Sequence, residues 1–277
     1  MTKETITLPV EGMNCASCVG RVEAALNSVH VNTDAIDNSA GVDSSDYEVN
    51  IKIALTPLVQ DGSMSMPERD ELLASMTDEV AEKVLRHNYE QNVLIGNGRH
   101  QREVMVTVHQ RLIRYLTEHA DLDPQLEFLP DDEEWARRRA ENNALTSPEF
   151  SVVVAYAKLA LKQELADTEL PDDPALVQTL LGYFPGPLQE RAREQILQHP
   201  LRRQIIINEI ANAMINRGGV SFVYRAEEET GATAAQIARA FHVVRSVFAM
   251  PDYIAQVEAL DNEVDTDTQT QLYLEFR

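Results

Sequence analysis

The chain has 277 residues, 44% of them hydrophobic and 25% charged, which suits a folded protein long enough for two ordinary domains. Forty-five acidic residues against 24 Lys and Arg leave a net charge of −21, which repels phosphate backbones and argues against nucleic-acid binding. No apolar run, Ser151–Ala157 and Gln204–Ile210 included, approaches the roughly 20 residues a bilayer span needs, so no membrane partner is expected.

Residues 1–30 open with Ile6, Leu8 and Val10 alternating as in a short strand. A cysteine-bearing loop follows, and Val19, Val22, Ala25 and Leu26 then fall on one face of a helix. Residues 31–60 begin with loop and cap formers, among them Asp34, Asn38, Ser39, Gly41, Ser44 and Ser45. A buried loop leading into a helix over Tyr47–Leu58, broken by Asp61-Gly62, is expected there. Residues 61–277 are a succession of helix signatures. Pro67 suits a first turn, and Leu72, Met76, Val80 and Val84 repeat every four residues. Gly96-Asn97-Gly98 reads as a turn before the Val104, Val108, Leu112, Leu116 row. Ser147-Pro148-Glu149 reads as an N-cap, an N1 proline and an early acid. Asp172-Asp173-Pro174 opens a further helix, Gly218-Gly219 closes Leu201–Arg217, and Thr233 starts a helix ended by Pro251. A last helix covers Asp265–Arg277. The expected fold class is mainly α, a multi-helix region behind a short remnant of an α/β dinucleotide-binding domain and a short N-terminal βα segment.

Gly12-Met13-Asn14-Cys15-Ala16-Ser17-Cys18 holds the only two cysteines. With none left to staple the rest, a reducing, cytoplasmic compartment is expected. Two thiolates three residues apart at the mouth of a helix can reach one ion, and the helix N-terminus favours the thiolate form. Two sulfurs alone suit Cu(I), whereas structural zinc takes four ligands. A redox pair and two inert cysteines are the competing readings. The strand, the motif and Val19–Leu26 resemble the opening of a heavy-metal-associated domain, as in copper ATPases and chaperones. That resemblance implies Cu(I) held by Cys15 and Cys18, but its remaining strands and helix do not follow after Val29.

Asp34, Asp37, Asp43, Asp46 and Glu48 crowd around a small-residue turn, which on composition alone is a solvated acidic loop and matches no calcium-loop spacing. The string Asn32-Thr33-Asp34-Ala35-Ile36-Asp37-Asn38-Ser39-Ala40-Gly41-Val42, running on through Ser45–Asn50, closely resembles a segment of the large bacterial NAD-dependent glutamate dehydrogenases. The resemblance continues in order through Met76–Val80, Asn88–Asn92, Leu145–Phe150, Ala155-Tyr156-Ala157-Lys158, Tyr183-Phe184-Pro185, His199–Arg203, Glu228–Ala232 and Ala259–Asn262, and so covers residues 32–277.

That family oxidatively deaminates L-glutamate to 2-oxoglutarate and ammonia, passing hydride to NAD. Asn38–Val42 resembles the Asn-Ala-Gly-Gly-Val segment at the cleft of smaller glutamate dehydrogenases. By that likeness Asn38 faces nicotinamide and substrate, and Ser45 helps hold the side-chain carboxylate of glutamate. A homo-oligomer is implied in the same way. Helix or turn capping is the alternative role for both residues. No glycine-rich dinucleotide turn is legible, and the family's lysine and acid lie upstream of the resembling segment. The reading is thus a fragment of such an enzyme, inactive alone, with a Cu(I)-binding protein and a non-catalytic helical module as alternatives.

Overall fold

The computed structural model describes residues 32–141 and 143–275, and every regular element among them is helical. The expected N-terminal βα segment, with Cys15 and Cys18, lies outside the described residues. The mainly α expectation holds for the rest.

After one helical turn, Asp34–Asp37, the first long helix is α1, Ser39–Gln60. It starts eight residues before the expected Tyr47, so the predicted buried loop is helix instead. Weak helix formers are held there by side-chain bonds, one set tertiary and one local. Asn88 donates its side-chain amide to the Ile36 carbonyl and to Ser39 Oγ, both at 2.9 Å, and Ser44 Oγ donates to the Ala40 carbonyl. Ile51, Ala54, Leu55 and Leu58 are buried along its inner face. The helix ends where Gly62 takes φ +82°, a conformation glycine adopts without a Cβ clash.

Two helices follow, α2 (Met66–Ser75) and α3 (Thr77–His100). Ser65 and Glu68 form a reciprocal capping box ahead of Pro67, which satisfies two otherwise free N–H groups. The expected four-residue repeat bends at Met76, whose buried side chain fills the corner. Gly96-Asn97-Gly98 is no turn. It lies inside α3, because Gly98 is where the Phe150 ring comes closest, 2.3 Å from where a Cβ would be.

Next come α4 (Val106–His119), α5 (Asp132–Ala140, with Trp135 buried) and α6 (Ser147–Ala166). The cap of α6 is Thr146 rather than Ser147, again in a capping box with Glu149. Glu149 also accepts from both terminal nitrogens of Arg138, which fixes α5 against the start of α6. Short helices α7 (Val177–Tyr183), α8 (Gly186–Arg191) and α9 (Arg193–Leu197) lead to α10, Arg202–Ala213. That helix widens into a π-turn at Met214–Gly218 and stops at Gly219, φ +102°.

The chain closes with α11 (Phe222–Thr230), α12 (Ala234–Val247), α13 (Met250–Glu258) and α14 (Thr266–Leu274). Pro251 does more than end α12: it sits in the first turn of α13, after Ala249 reverses the chain at φ +48°. One contiguous apolar core runs from Ile36 to Ala238. In it α3 packs on α1 and on the π-turn, while α6 lies against α10. Each fully buried leucine there contributes about 1.5–3 kcal/mol. No described helix is long and apolar enough to cross a membrane.

Candidate functional site

Helix α1 presents two chemically different faces. At 100° per residue, Asn38, Val42, Ser45 and Val49 fall in one narrow stripe. All four are exposed, Val42 at 64% and Val49 at 48%. The other side turns Asp43, Tyr47 and Asn50 toward α3, α7 and α10, with the exposed Asp46 at its edge reaching Tyr183. Asn38 is the N-cap of α1 but makes no side-chain capping bond. The structure therefore places both expected substrate residues on one outward stripe, and neither is spent on capping.

The inward side of α1 meets a polar arrangement that neighbours two cavities. The Tyr183 hydroxyl donates to Asp46 at 2.7 Å and accepts from Asn50 Nδ2 at 3.0 Å. Tyr47 stacks on Tyr183, ring centroids 4.7 Å apart. Burial, and then the nearby carboxylates, push both phenols well above their ordinary range, so they remain neutral donors. Asp43 pairs with His87 Nδ1. One cavity, about 650 Å³, opens toward Lys158 and Lys162 of α6. The other, about 360 Å³, opens toward Glu90, Glu209 and Arg245. Asp43, Asp46, His87, Tyr183, Asn208 and Asn212 border both.

The charges in these walls feel their burial. Lys158 is pushed down to about 8 by desolvation and then by Lys162, whose own pKa burial also lowers. Burial raises Glu209 and lowers Arg245. Glu90 goes the other way. Burial would raise it, but Arg217 and Arg86 together hold it low. Arg86 and Arg217 each bridge Glu90 on α3 to Glu258 on α13, Arg86 Nη2 reaching Glu258 at 2.8 Å. This four-charge cluster fastens the last helices to the centre of the molecule.

Lys158, lowered by burial, and Glu209, raised by burial, each line a cavity wall, an environment from which general acids and bases are drawn. Sequence reading missed them as a site. Asp43 and Asp46 read as a solvated acidic loop, and Lys158 and Tyr183 only as parts of a familiar string. The one legible signal was helical phase: Lys158 and Lys162 are four apart and share a face. Two histidines are buried, His109 and His199. His109 is 2% exposed, and His199 Nε2 lies 3.2 Å from the Asn50 carbonyl. Arg202 and Arg203 pair with Asp172, away from Tyr224 and Arg225, so these four form no joint anion site.

The described residues do not fit a dinucleotide. They contain no strand, and Gly96-Asn97-Gly98 is helix interior closed by Phe150. They also contain no cluster of three or more His, Cys, Asp or Glu arranged to hold a metal.

Two family models match the chain. Residues 5–98 match the model described as "Bacterial NAD-glutamate dehydrogenase, catalytic domain", and residues 142–277 match "Glutamate dehydrogenase, C-terminal". The first match runs across Cys15 and Cys18, and neither supports copper there. Among curated proteins, the NAD-specific glutamate dehydrogenase of Halomonas elongata is 41% identical over 257 residues, 93% of this chain and 16% of its own length. That of Pseudomonas aeruginosa is 41% identical over 92% of this chain and 16% of its own. That of Mycobacterium tuberculosis is 41% identical over 87% and 15%.

Proposed function

Because the chain belongs to the bacterial NAD-specific glutamate dehydrogenases and spans only 16% of the length of such relatives, we propose that it supplies one rim of their active site. The reaction served is oxidation of L-glutamate by NAD and water to 2-oxoglutarate, ammonia and NADH, in the cytoplasm and in a homo-oligomer. The observation that carries this reading is the outward stripe of α1. Asn38 and Ser45 share that stripe with Val42 and Val49, two large apolar side chains left in solvent. Such a stripe suits coverage by the remainder of a larger catalytic domain.

In that setting Ser45 Oγ donates a hydrogen bond to the side-chain carboxylate of glutamate, and the Asn38 amide orients substrate against the nicotinamide. Neither group titrates, so both position a charged ligand without moving a proton. NAD accepts the hydride; its phosphates are held by parts of the enzyme other than the residues described here. The helices from α2 onward then serve as the packing body behind this rim.

The test is kinetic, in a full-length enzyme carrying this segment. Ser45→Ala removes one hydrogen bond to a charged group, about 1.5–3 kcal/mol, so KM for glutamate should rise about tenfold or more while KM for NAD stays put. An unchanged glutamate KM overturns the role of Ser45. The 277-residue chain alone should reduce no NAD with glutamate; turnover by it would overturn the rim assignment.

A further inference from the structure

We propose that the cavity between α1, α6 and α10 binds a small carboxylate anion on a short hydrocarbon stem, held by Lys158 and Lys162. This goes beyond the glutamate rim and does not rest on it, since neither Asn38 nor Ser45 lines this cavity.

The two lysines are one helical turn apart on α6, which brings their side chains to the same wall of the ~650 Å³ cavity. Both are half-buried, and neither ammonium has a hydrogen-bond or ion-pair partner among the described residues. The acids that share the cavity are already engaged: Asp43 with His87, and Asp46 with the Tyr183 hydroxyl and the Asn50 amide. The unmet capacity of this site is therefore six ammonium N–H donors, three from each lysine, none of them bonded to an acceptor among the described residues. Asp43 and Asp46 act on the two ammoniums only through space, without a direct bond, and an entering carboxylate supplies that bond to both at once.

The rest of the lining decides which anion. Ile36, Val154, Leu159 and Ile205 form an apolar wall that covers a short hydrocarbon stem. Asp43 and Asp46 stand in the same cavity, so a dianionic phosphate meets more repulsion there than a single carboxylate does. A carboxylate head toward the lysines and an alkyl stem toward Val154 satisfies both constraints.

Lysine acylation reads this directly on the whole 277-residue chain. The protein is treated near neutral pH with a limiting acetyl N-hydroxysuccinimide ester, and modification of each lysine is quantified by mass spectrometry. Butyrate, inorganic phosphate and chloride are compared at matched ionic strength. Bound carboxylate restores the ammonium form, so butyrate should slow acetylation of Lys158 by at least about tenfold while exposed Lys52 reacts unchanged. Lys162→Gln should abolish that protection without lowering the melting temperature. The variant keeps the fold in place, so loss of protection is not loss of structure. No protection by butyrate, equal or better protection by phosphate, or protection that survives Lys162→Gln each overturns the proposal.

Discussion

The Asn38 side chain folds back over Gly41, so that a Cβ on residue 41 would lie 2.5 Å from Asn38 Oδ1. Only glycine leaves the amide in that pose at the head of α1. The clash would fall on the far end of an exposed side chain, which can swing away at little cost. Gly41→Ala should therefore leave the melting temperature unchanged or raise stability by up to about 1 kcal/mol, because alanine is the better helix former. Glutamate turnover of a full-length enzyme carrying the change should nevertheless fall, as Asn38 is displaced. Denaturation and steady-state kinetics on the same variant check both halves; full activity would show that the Asn38 pose has no catalytic use.

Two glycines two residues apart in α3 should respond oppositely to the same substitution. Gly98→Ala drives a methyl into the Phe150 ring, with 2.3 Å to the nearest carbon, and overpacking of this kind costs about 1–3 kcal/mol. Gly96 has nothing within 4 Å of a built Cβ, so Gly96→Ala should stabilise by about 0.5–1 kcal/mol. Urea unfolding of the pair distinguishes the two environments, and equal effects would contradict the close approach.

The Glu90 cluster should be the anchor of the C-terminal helices. Glu90→Gln leaves Arg217, a side chain only 8% exposed, facing one carboxylate instead of two. Removing a partner from a largely buried pair costs about 2–4 kcal/mol, taken somewhat below the fully buried range because Arg86 is half in solvent. Hydrogen exchange should show the loss first in α13 and α14. Uniform destabilisation with no local opening there would argue against the anchoring role.

His109 should make stability fall in mild acid. Burial alone pushes it down from 6.5 to about 4, and its Nδ1 has no hydrogen-bond partner. Between those two values the unfolded chain takes up a proton that the folded one refuses. Its contribution is thus fully present above pH 6.5, is lost as pH falls toward 4, and is constant below that. The span is worth up to about 3 kcal/mol. His109→Leu removes the group, so its unfolding free energy should fall less than the wild type's across that window. Parallel curves for the two proteins would refute the assignment.

How far these features could be read in advance depended on how local their causes are. The capping boxes at Ser65–Glu68 and Thr233–Gln236, the first-turn prolines and the apolar rows all act within one or two turns, and the helices they mark are present. Thr146 shows the limit: the cap slid one residue from Ser147 because only Thr146 places its hydroxyl opposite the Glu149 N–H. Gly96-Asn97-Gly98 has turn composition yet is helix, since Phe150, fifty-two residues beyond Gly98, demands the missing side chain. The start of α1 was misplaced for the same kind of reason. Asn88 holds residues 36–39 in place, and no short-range pattern carries that contact.

The sequence by itself determined the helical class and the family, because periodicity, capping and an ordered string of residues survive in one dimension. Only the tertiary structure decided what surrounds residues 38–46. It turned Asn38 and Ser45 outward on one stripe of α1. It turned Asp43 and Asp46, from the same few residues, to meet His87 and Tyr183 from distant helices. It left Lys158 and Lys162 facing a cavity with no direct hydrogen bond or ion pair among the described residues. Which charges are paired is a matter of distances between segments far apart in the chain, and burial then sets their protonation. Neither quantity is a property of any one segment.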